Sequence, residues 1–345
     1  MQVGVNYPWF NYGWDFGFGP PAWRGAQTDP AWFAAIDGHL QRFQNLGISV
    51  VRWFILADGL TYGTTGSAPY PDQANPGEWR FDPPVLPAEI TAHFEELLIR
   101  FENAHRALPQ PIQLLPVFID FHFCDAGIMP LRNPTTENPW ALDPDWVKQG
   151  RADALSDPVK RQRFLDQALD PFLRVSQSHP DVIFAWELIN EPDWITNGWN
   201  PDRQTNHPVD AKAMQAFIEE GKGRVRSAGL KPTVGFASID TLLNSQITAE
   251  VNQFHHYPGG RCQLGANGFD PQYPGIVGEF ATAPEDIWPE LKASGQTVLH
   301  RLHQIEAQGY PLAIPWSFGA KDQHTLWTPD TEHDIECFTQ ARNCP

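Results

Sequence analysis

Eight short runs of apolar, β-branched or aromatic residues recur along the chain: Val3–Pro8, Ile48–Leu56, Ile112–Phe123, Val182–Asn190, Pro232–Ala237, Asn252–Tyr257, Gly275–Phe280 and Leu312–Phe318. Stretches with helical periodicity lie between most of them. Trp32, Phe33, Ile36, Leu40, Phe43 and Leu46 follow the i, i+3/i+4 spacing of a helix buried on one face, with Asp29 as its N-cap and Gly47 as its stop. Ile90, Phe94, Leu97, Leu98 and Phe101 repeat the pattern before the third run. Phe164 to Leu173 repeat it before the fourth, where Pro171 predicts a kink. Weaker patterns at Ala213, Phe217 and Val225, and at Val298, Leu302 and Ile305, precede the fifth and eighth runs. Strands alternating with helices imply parallel βα units, and their closed eightfold solution is the (β/α)8 barrel, an α/β fold. Between the sixth and seventh runs, "PGGRCQLGANGFDPQYP" is turn-rich and predicts a short or irregular crossover.

No linker, repeat or low-complexity tract divides the 345 residues, so residues 1–345 are expected to form one domain. The long segments follow the first four runs: Trp9–Asp29, Ala57–Pro87, Cys124–Asp157 and Pro192–Pro208. In a barrel all of these lie on the C-terminal face, where active sites are built, and such decoration predicts a deep cleft or pocket. A net charge of −17 without a basic patch argues against nucleic acid or an anionic membrane surface as partner. No apolar run approaches the eighteen or so residues of a membrane span. Strand-like "VGVNYP" begins at Val3 with no basic and apolar leader before it, so a cytoplasmic protein fits, as does a secreted one whose leader has been removed. The four cysteines are too scattered for a disulfide scaffold or a zinc motif; Cys337 and Cys344 are close enough to pair, which sequence alone does not decide.

The aromatic load is high, with 14 Trp and 22 Phe, and many of the Trp fall in turn-rich stretches such as "NYPWFNYGWDFGFG". Such rings either lid the core or form stacking platforms for a flat, C–H-rich ligand such as a sugar. Trp9, Tyr12, Trp14 and Asp15 after the first strand, Trp194 and Trp199 after the fourth, and Trp327 after the eighth are candidate substrate contacts; about half are expected to be packing.

The chemistry-bearing residues sit at strand ends. "VIFAWELINEP" places Glu191 at the end of the fourth strand, before a proline that cannot continue a central strand, and "GIVGEF" ends the seventh in Glu279. Two glutamates facing each other across a barrel mouth suit glycoside hydrolysis, in which one carboxyl protonates the departing oxygen and the other attacks the anomeric carbon or activates water. Glu187 shares strand parity with Ile189 and Glu191, which predicts a deeper, buried acid with a structural partner; Arg52 is one candidate.

"WELINEP" and "GEF" resemble the signatures of the clan A glycoside hydrolases, most closely glycoside hydrolase family 5, the cellulase and β-mannanase family. Further elements of that resemblance are Arg52 in "VVRWF", Asp120 and His122 in "IDFH", His255 and Tyr257 in "HHY", and Trp316 in "IPWSF". The resemblance implies a retaining double displacement with Glu191 as acid/base and Glu279 as nucleophile. It further implies Asn190 on the sugar 2-hydroxyl, Arg52 and Tyr257 keeping Glu279 ionised, Trp316 flooring the subsite of the reacting sugar and His255 lining its wall. It implies no metal or other cofactor and a β-linked glycan of mannan or glucan type as substrate. Arg52 is followed by aromatic "WF" where the family commonly has an aliphatic residue and proline, and "NYPWFNYGWDFG" is not a general family motif, so subsite details do not transfer.

Other readings remain at this level. An exo-acting β-glycosidase or transglycosidase on small glycosides would share the catalytic pair. A carbohydrate-binding barrel that has lost catalysis would have no need of an acid beside a nucleophile. A metal-dependent hydrolase built on His122, His255 and His256 lacks the His-x-His pair on its first strand. His256, of opposite parity to His255, is expected to face outward or into packing, and Cys124 to be packing.

Overall fold

The computed structural model describes residues 1–10, 15–16, 30–57, 59, 70–71, 73–75, 79–107, 111–124, 131–132, 142–143, 151–199, 208–257, 275–283, 297–320 and 324–340. Eight parallel strands form a closed barrel: β1 (Gln2–Asn6), β2 (Ile48–Phe54), β3 (Gln113–Asp120), β4 (Trp186–Asn190), β5 (Pro232–Phe236), β6 (Asn252–His256), β7 (Gly275–Ala281) and β8 (Leu312–Trp316). Each pairs with its successor, and β8 closes on β1. The expected (β/α)8 architecture is thus the observed one. β2, β4, β5, β7 and β8 are buried along their whole length, as strands covered on both faces must be. The sixth crossover falls outside the described residues, as do the Asp29 cap and the loop residues Tyr12 and Trp14.

The amphipathic stretches form the covering helices. Helix Pro30–Asn45 buries Trp32, Ile36, Leu40 and Phe43, and it stops at Gly47, whose φ of +76° only glycine adopts without strain. Helix Ala88–Ala107 buries all five residues expected of it. Pro171 falls just after a π turn over Leu165–Leu169 that joins helix Pro158–Phe164 to helix Asp170–Gln177, so the irregularity expected at the proline is taken up by that turn. Helix Ala211–Ser227 is capped by Asp210, and its Gly221 lets it lie against Leu188 of β4, where a Cβ would come within 2.9 Å of the leucine. The third run is longer than its strand because a 3-10 turn over Phe121–Phe123 continues the apolar pattern past the end of β3.

Inside the barrel the side chains are layered. Val50, Arg52 and Phe54 alternate inward along β2 and mark the three levels. Val50 joins Leu115, Ala185, Val251, Ile276, Leu312 and Ile314 in an apolar plug. Phe54 joins Val117, Trp316, Trp9 and Tyr257 around the mouth. Between them lies a buried polar layer of Asn6, Arg52, Glu187 and Gln253. Glycines make room for it: a Cβ on Gly235 would collide with Glu187 Oε1, and one on Gly278 would lie 2.6 Å from Gln253.

Both glutamate-bearing strands break strict alternation. Glu187 pairs with Thr233 and Asn190 with Gly235, so three steps along β4 match two along β5. On β7, Val277 pairs with Phe254 and Glu279 with His255, which makes Gly278 an extra residue. These bulges correct the simple parity expected for Glu187, Ile189 and Glu191. Ile189 packs in the outer core, while Asn190 turns inward to Arg52. Re-aiming a side chain beside a functional site is the common use of such a bulge.

Candidate active site

Arg52 is the hub of the polar layer. It is fully buried, and its Nε and Nη2 donate to Glu187 at 2.7 and 2.6 Å. Nη1 donates to Asn6 Oδ1 at 2.9 Å and Glu279 Oε1 at 2.7 Å, and Nη2 also donates to Asn190 Oδ1 at 2.7 Å. All five guanidinium donors therefore have acceptors, which is what makes so deep a charge tolerable. Burial works against the charge, and Glu187 and Glu279 outweigh it, holding the guanidinium protonated. Glu187 is thus the structural partner of Arg52, steadied from its other side by Gln253 Nε2 at 2.7 Å.

Glu279 accepts from Arg52 on Oε1 and from the Tyr257 hydroxyl on Oε2 at 2.8 Å. Glu191 leaves the strand in a left-handed conformation, φ +47°, with its N–H bound to Gly235 O at 2.6 Å. For a residue with a side chain this conformation is strained, and here it swings the carboxylate over the mouth. Its Oε1 lies 2.8 Å from His255 Nδ1, and its Oε2 accepts from Trp194 Nε1 at 2.7 Å. The same His255 Nδ1 is 3.4 Å from Glu279 Oε2, so the imidazole stands between the two acids. Asn190 is oriented at both ends, its Oδ1 by Arg52 and its Nδ2 by Asp120 Oδ1 at 2.7 Å. Asp120 Oδ2 in turn bonds His122 Nδ1.

Burial pushes Glu191 up to about 7, with the charge of Asp120 adding to it and the Trp194 hydrogen bond, Arg52 and His122 opposing it. Burial also pushes Glu279 up to about 7, against His255 and Arg52, while Glu191 raises it further and Tyr257 lowers it. Two acids this close ionise in two steps that belong to the pair. The first proton leaves Glu279, because that carboxylate touches a guanidinium and a phenol, whereas Glu191 bonds a neutral indole and a neutral imidazole. His255 is neutral because burial lowers it to about 4. The outcome is an ionised acid beside a protonated one. Glu191, His255 and Glu279 each present one possible metal-ligand atom within 4.8 Å of the others. The Arg52 guanidinium 2.7 Å from Glu279 places a fixed positive charge against a cation there, so the donor set does not suit one.

The remaining sequence candidates separate. Trp316 and Trp9 meet edge to face at the mouth, ring centroids 6.3 Å apart, with Phe54 against both. Trp194 lies at the site but on Glu191. Asp15 is not a substrate contact: it is buried and accepts from Phe10 N–H and Trp53 Nε1 at 2.8 and 2.9 Å. Trp199 packs against Phe236 and the outer core, and Trp327 against Phe318 with its Nε1 on Glu332. His256 is half-buried, and Cys124 is buried. Cys337 is disulfide-bonded. Sequence reading missed Asn6 and Gln253; each is a polar amide in an otherwise apolar strand run, which was the available signal. Asn6 Nδ2 donates to Gly278 O at 2.9 Å and so buttresses the β7 bulge before Glu279.

Asp193 was also missed. It is buried two residues beyond Glu191, and its Oδ1 accepts from Ala237 N–H at 3.0 Å, tying the turn after β4 to the end of β5. Burial and then the charge of Glu191 push it up from 3.8 to about 7. A carboxyl whose folded-state pKa is raised binds its proton more tightly in the native state, so folding stability falls as pH rises from about 4 to 7. Asp193→Asn is therefore expected to be more stable than wild type, by a margin that grows over that window and levels off above it. Melting temperatures at pH 4, 6 and 8 check this; a margin that does not grow with pH overturns it.

No protein-family model matches the sequence, and no curated protein matches it. Solved structures share its fold. β-Mannanase from the blue mussel Mytilus edulis superposes with a TM-score of 0.61 at 16% identity, covering 99% of this chain and 92% of that one. Endo-1,4-β-mannanase from Eisenia fetida gives 0.61 at 20%, covering 99% and 91%. β-1,4-D-Mannanase from Cryptopygus antarcticus gives 0.60 at 16%, covering 98% and 90%. The fold is therefore the one these three mannanases use. Among the described residues no helix is long and apolar enough to cross a membrane.

Proposed function

We propose that the protein is a retaining β-glycoside hydrolase, a single catalytic domain acting on a β-linked glycan by double displacement. The observation that carries this reading is the placement of Glu191 and Glu279 with carboxylate oxygens within 4.8 Å of each other, in unlike surroundings. That spacing suits direct attack by one carboxylate, since inverting enzymes hold the two roughly 6.5–9.5 Å apart to admit a water. Glu279, ionised against Arg52 and Tyr257, attacks the anomeric carbon while Glu191 protonates the departing oxygen. In the glycosyl ester Glu279 carries no charge to offset Arg52, the guanidinium that lowers the Glu191 pKa, so Glu191 gives up its proton more readily. Glu191 then takes a proton from water, which hydrolyses the ester with a second inversion.

Asn190 has a second Nδ2 hydrogen for the sugar 2-hydroxyl, and Asp120 and Arg52 keep the amide from turning. Trp316 and Trp9 supply an apolar surface for the reacting sugar, and Tyr257, besides holding Glu279, packs with them at the mouth. β-Mannan stands first as substrate because the three structures named above are mannanases; β-glucan stands second on the sequence resemblance.

The experiment is incubation of the protein with β-mannan, β-glucan, xylan and aryl β-glycosides, with products separated and their first-formed anomer read by proton NMR. Oligosaccharides from mannan or glucan with the β-anomer appearing first are expected. Monosaccharides from the aryl glycosides alone would turn the reading to an exo-acting pocket, and transfer to added sugar to a transglycosidase. The α-anomer first would overturn retention. Binding without turnover would favour a carbohydrate-binding barrel.

A further inference from the structure

The long loop after β4 begins with a tight device around Glu191. The left-handed Glu191 opens a 3-10 turn over Pro192–Trp194, closed by Trp194 N–H on Glu191 O at 3.1 Å. Asp193 ties the turn to Ala237, and Thr196 Oγ1 closes it from behind on Pro192 O at 2.7 Å. The result returns the Trp194 side chain onto the acid three residues before it, with the indole N–H 2.7 Å from Glu191 Oε2. Phe121 lies beside the indole, ring centroids 6.4 Å apart. We propose that Trp194 is a positioning residue for Glu191, fixing the carboxylate through its indole N–H, and that this role, rather than sugar stacking, explains its place in the loop.

The inference rests on the glycosidase reading for its kinetic consequences and on geometry for its origin. An indole can only donate, so it binds the ionised carboxylate better than the neutral acid. The groups facing Glu191 come from several elements: Arg52 from β2, Asp120 and His122 from the end of β3, His255 from β6, Glu279 from β7, and Asp193 from its own turn. Burial and Asp120 favour the proton; Trp194, Arg52 and His122 favour its loss. Glu191 must be protonated in the first half-reaction and ionised in the second. The indole bond therefore assists the second half, in which Glu191 takes a proton from the attacking water.

Trp194→Phe keeps an aromatic ring and removes the N–H. On an activated aryl β-glycoside, whose leaving group needs no acid, the second half-reaction is slow. The variant is expected to lose kcat about tenfold, with KM falling in parallel as the glycosyl-enzyme accumulates. The alkaline limb of kcat/KM on a substrate that needs the acid should move up by about one pH unit, the size of a hydrogen bond to a charged group. A stacking platform gives the opposite pattern: Trp194→Phe close to wild type in both limb and KM, and Trp194→Ala raising KM alone. That result overturns the proposal. Carbon-detected NMR titration of the glutamate carboxyls, with the Glu191 signal assigned through Glu191→Gln, reads the same shift without turnover. An unmoved Glu191 titration in folded Trp194→Phe overturns the proposal even if wild type hydrolyses none of the panel, an outcome that would count against the glycosidase reading separately.

Discussion

Glu279→Gln is expected to lower kcat by roughly 10⁴-fold or more on every β-glycoside the protein turns over, with little change in melting temperature. Glutamine keeps the shape of the side chain and its acceptor oxygen for Arg52, but it has no carboxylate to attack the anomeric carbon. Neither half-reaction is then available. Glu191→Gln should differ in kind. On a substrate that needs acid assistance it loses about 10²–10⁴-fold, the usual contribution of a general acid/base. On an activated aryl glycoside the glycosyl-enzyme still forms and then persists for want of a base. Azide, which needs no deprotonation, should release the sugar from Glu191→Ala as the β-glycosyl azide and leave Glu279→Gln inactive. Near-normal turnover in Glu279→Gln, or azide rescue of it with that product, would overturn the assignment of the two roles.

The second large effect falls on stability and activity together. Arg52→Met leaves Glu187 and Glu279 as buried carboxylates without their cation, and takes a donor from Asn6 and from Asn190 as well. Breaking one partner out of a buried ion pair typically costs about 3–5 kcal/mol. Loss of that order is expected in denaturant unfolding, together with loss of activity. The deficit should shrink toward acid pH, where Glu279 takes up a proton. Arg52→Lys should recover part of the stability and little of the activity, since an ammonium has three donors and no planar fork with which to serve both glutamates and both asparagines. An Arg52→Met variant within about 1 kcal/mol of wild type would mean that the polar layer does not depend on its cation.

Much of this arrangement is legible in the sequence because the barrel repeats one local rule. Strands buried on both faces read as apolar runs, and helices buried on one face read at 3.6-residue spacing; Ile90 to Phe101 and the eight runs stand where the pattern puts them. Glu191, Glu279, Arg52, Asn190, His255 and Tyr257 are legible for a related reason. Each is a polar residue in or at the end of an apolar run, which places it inside the barrel or at its mouth.

What fails is whatever depends on partners distant along the chain. The bulges that turn Asn190 and Glu279 inward arise from pairing with β5 and β6, and a two-residue alternation cannot reveal them. The loop aromatics look alike in sequence, yet Trp9 faces the mouth, Trp194 holds an acid, and Trp199 and Trp327 pack.

From sequence alone come the (β/α)8 barrel, the inward position of the polar residues and the placement of Glu191 and Glu279 at strand ends, because periodicity and strand-end placement are local properties of the chain. The tertiary structure decided which acid is ionised, since that depends on Arg52 and Tyr257 reaching Glu279 while Trp194 and a neutral His255 reach Glu191. It also assigned Glu187 to Arg52 and Asp193 to the turn. Electrostatic free energies inside a barrel are set by distances of a few ångströms between residues far apart in the chain, and only the closed sheet brings them together.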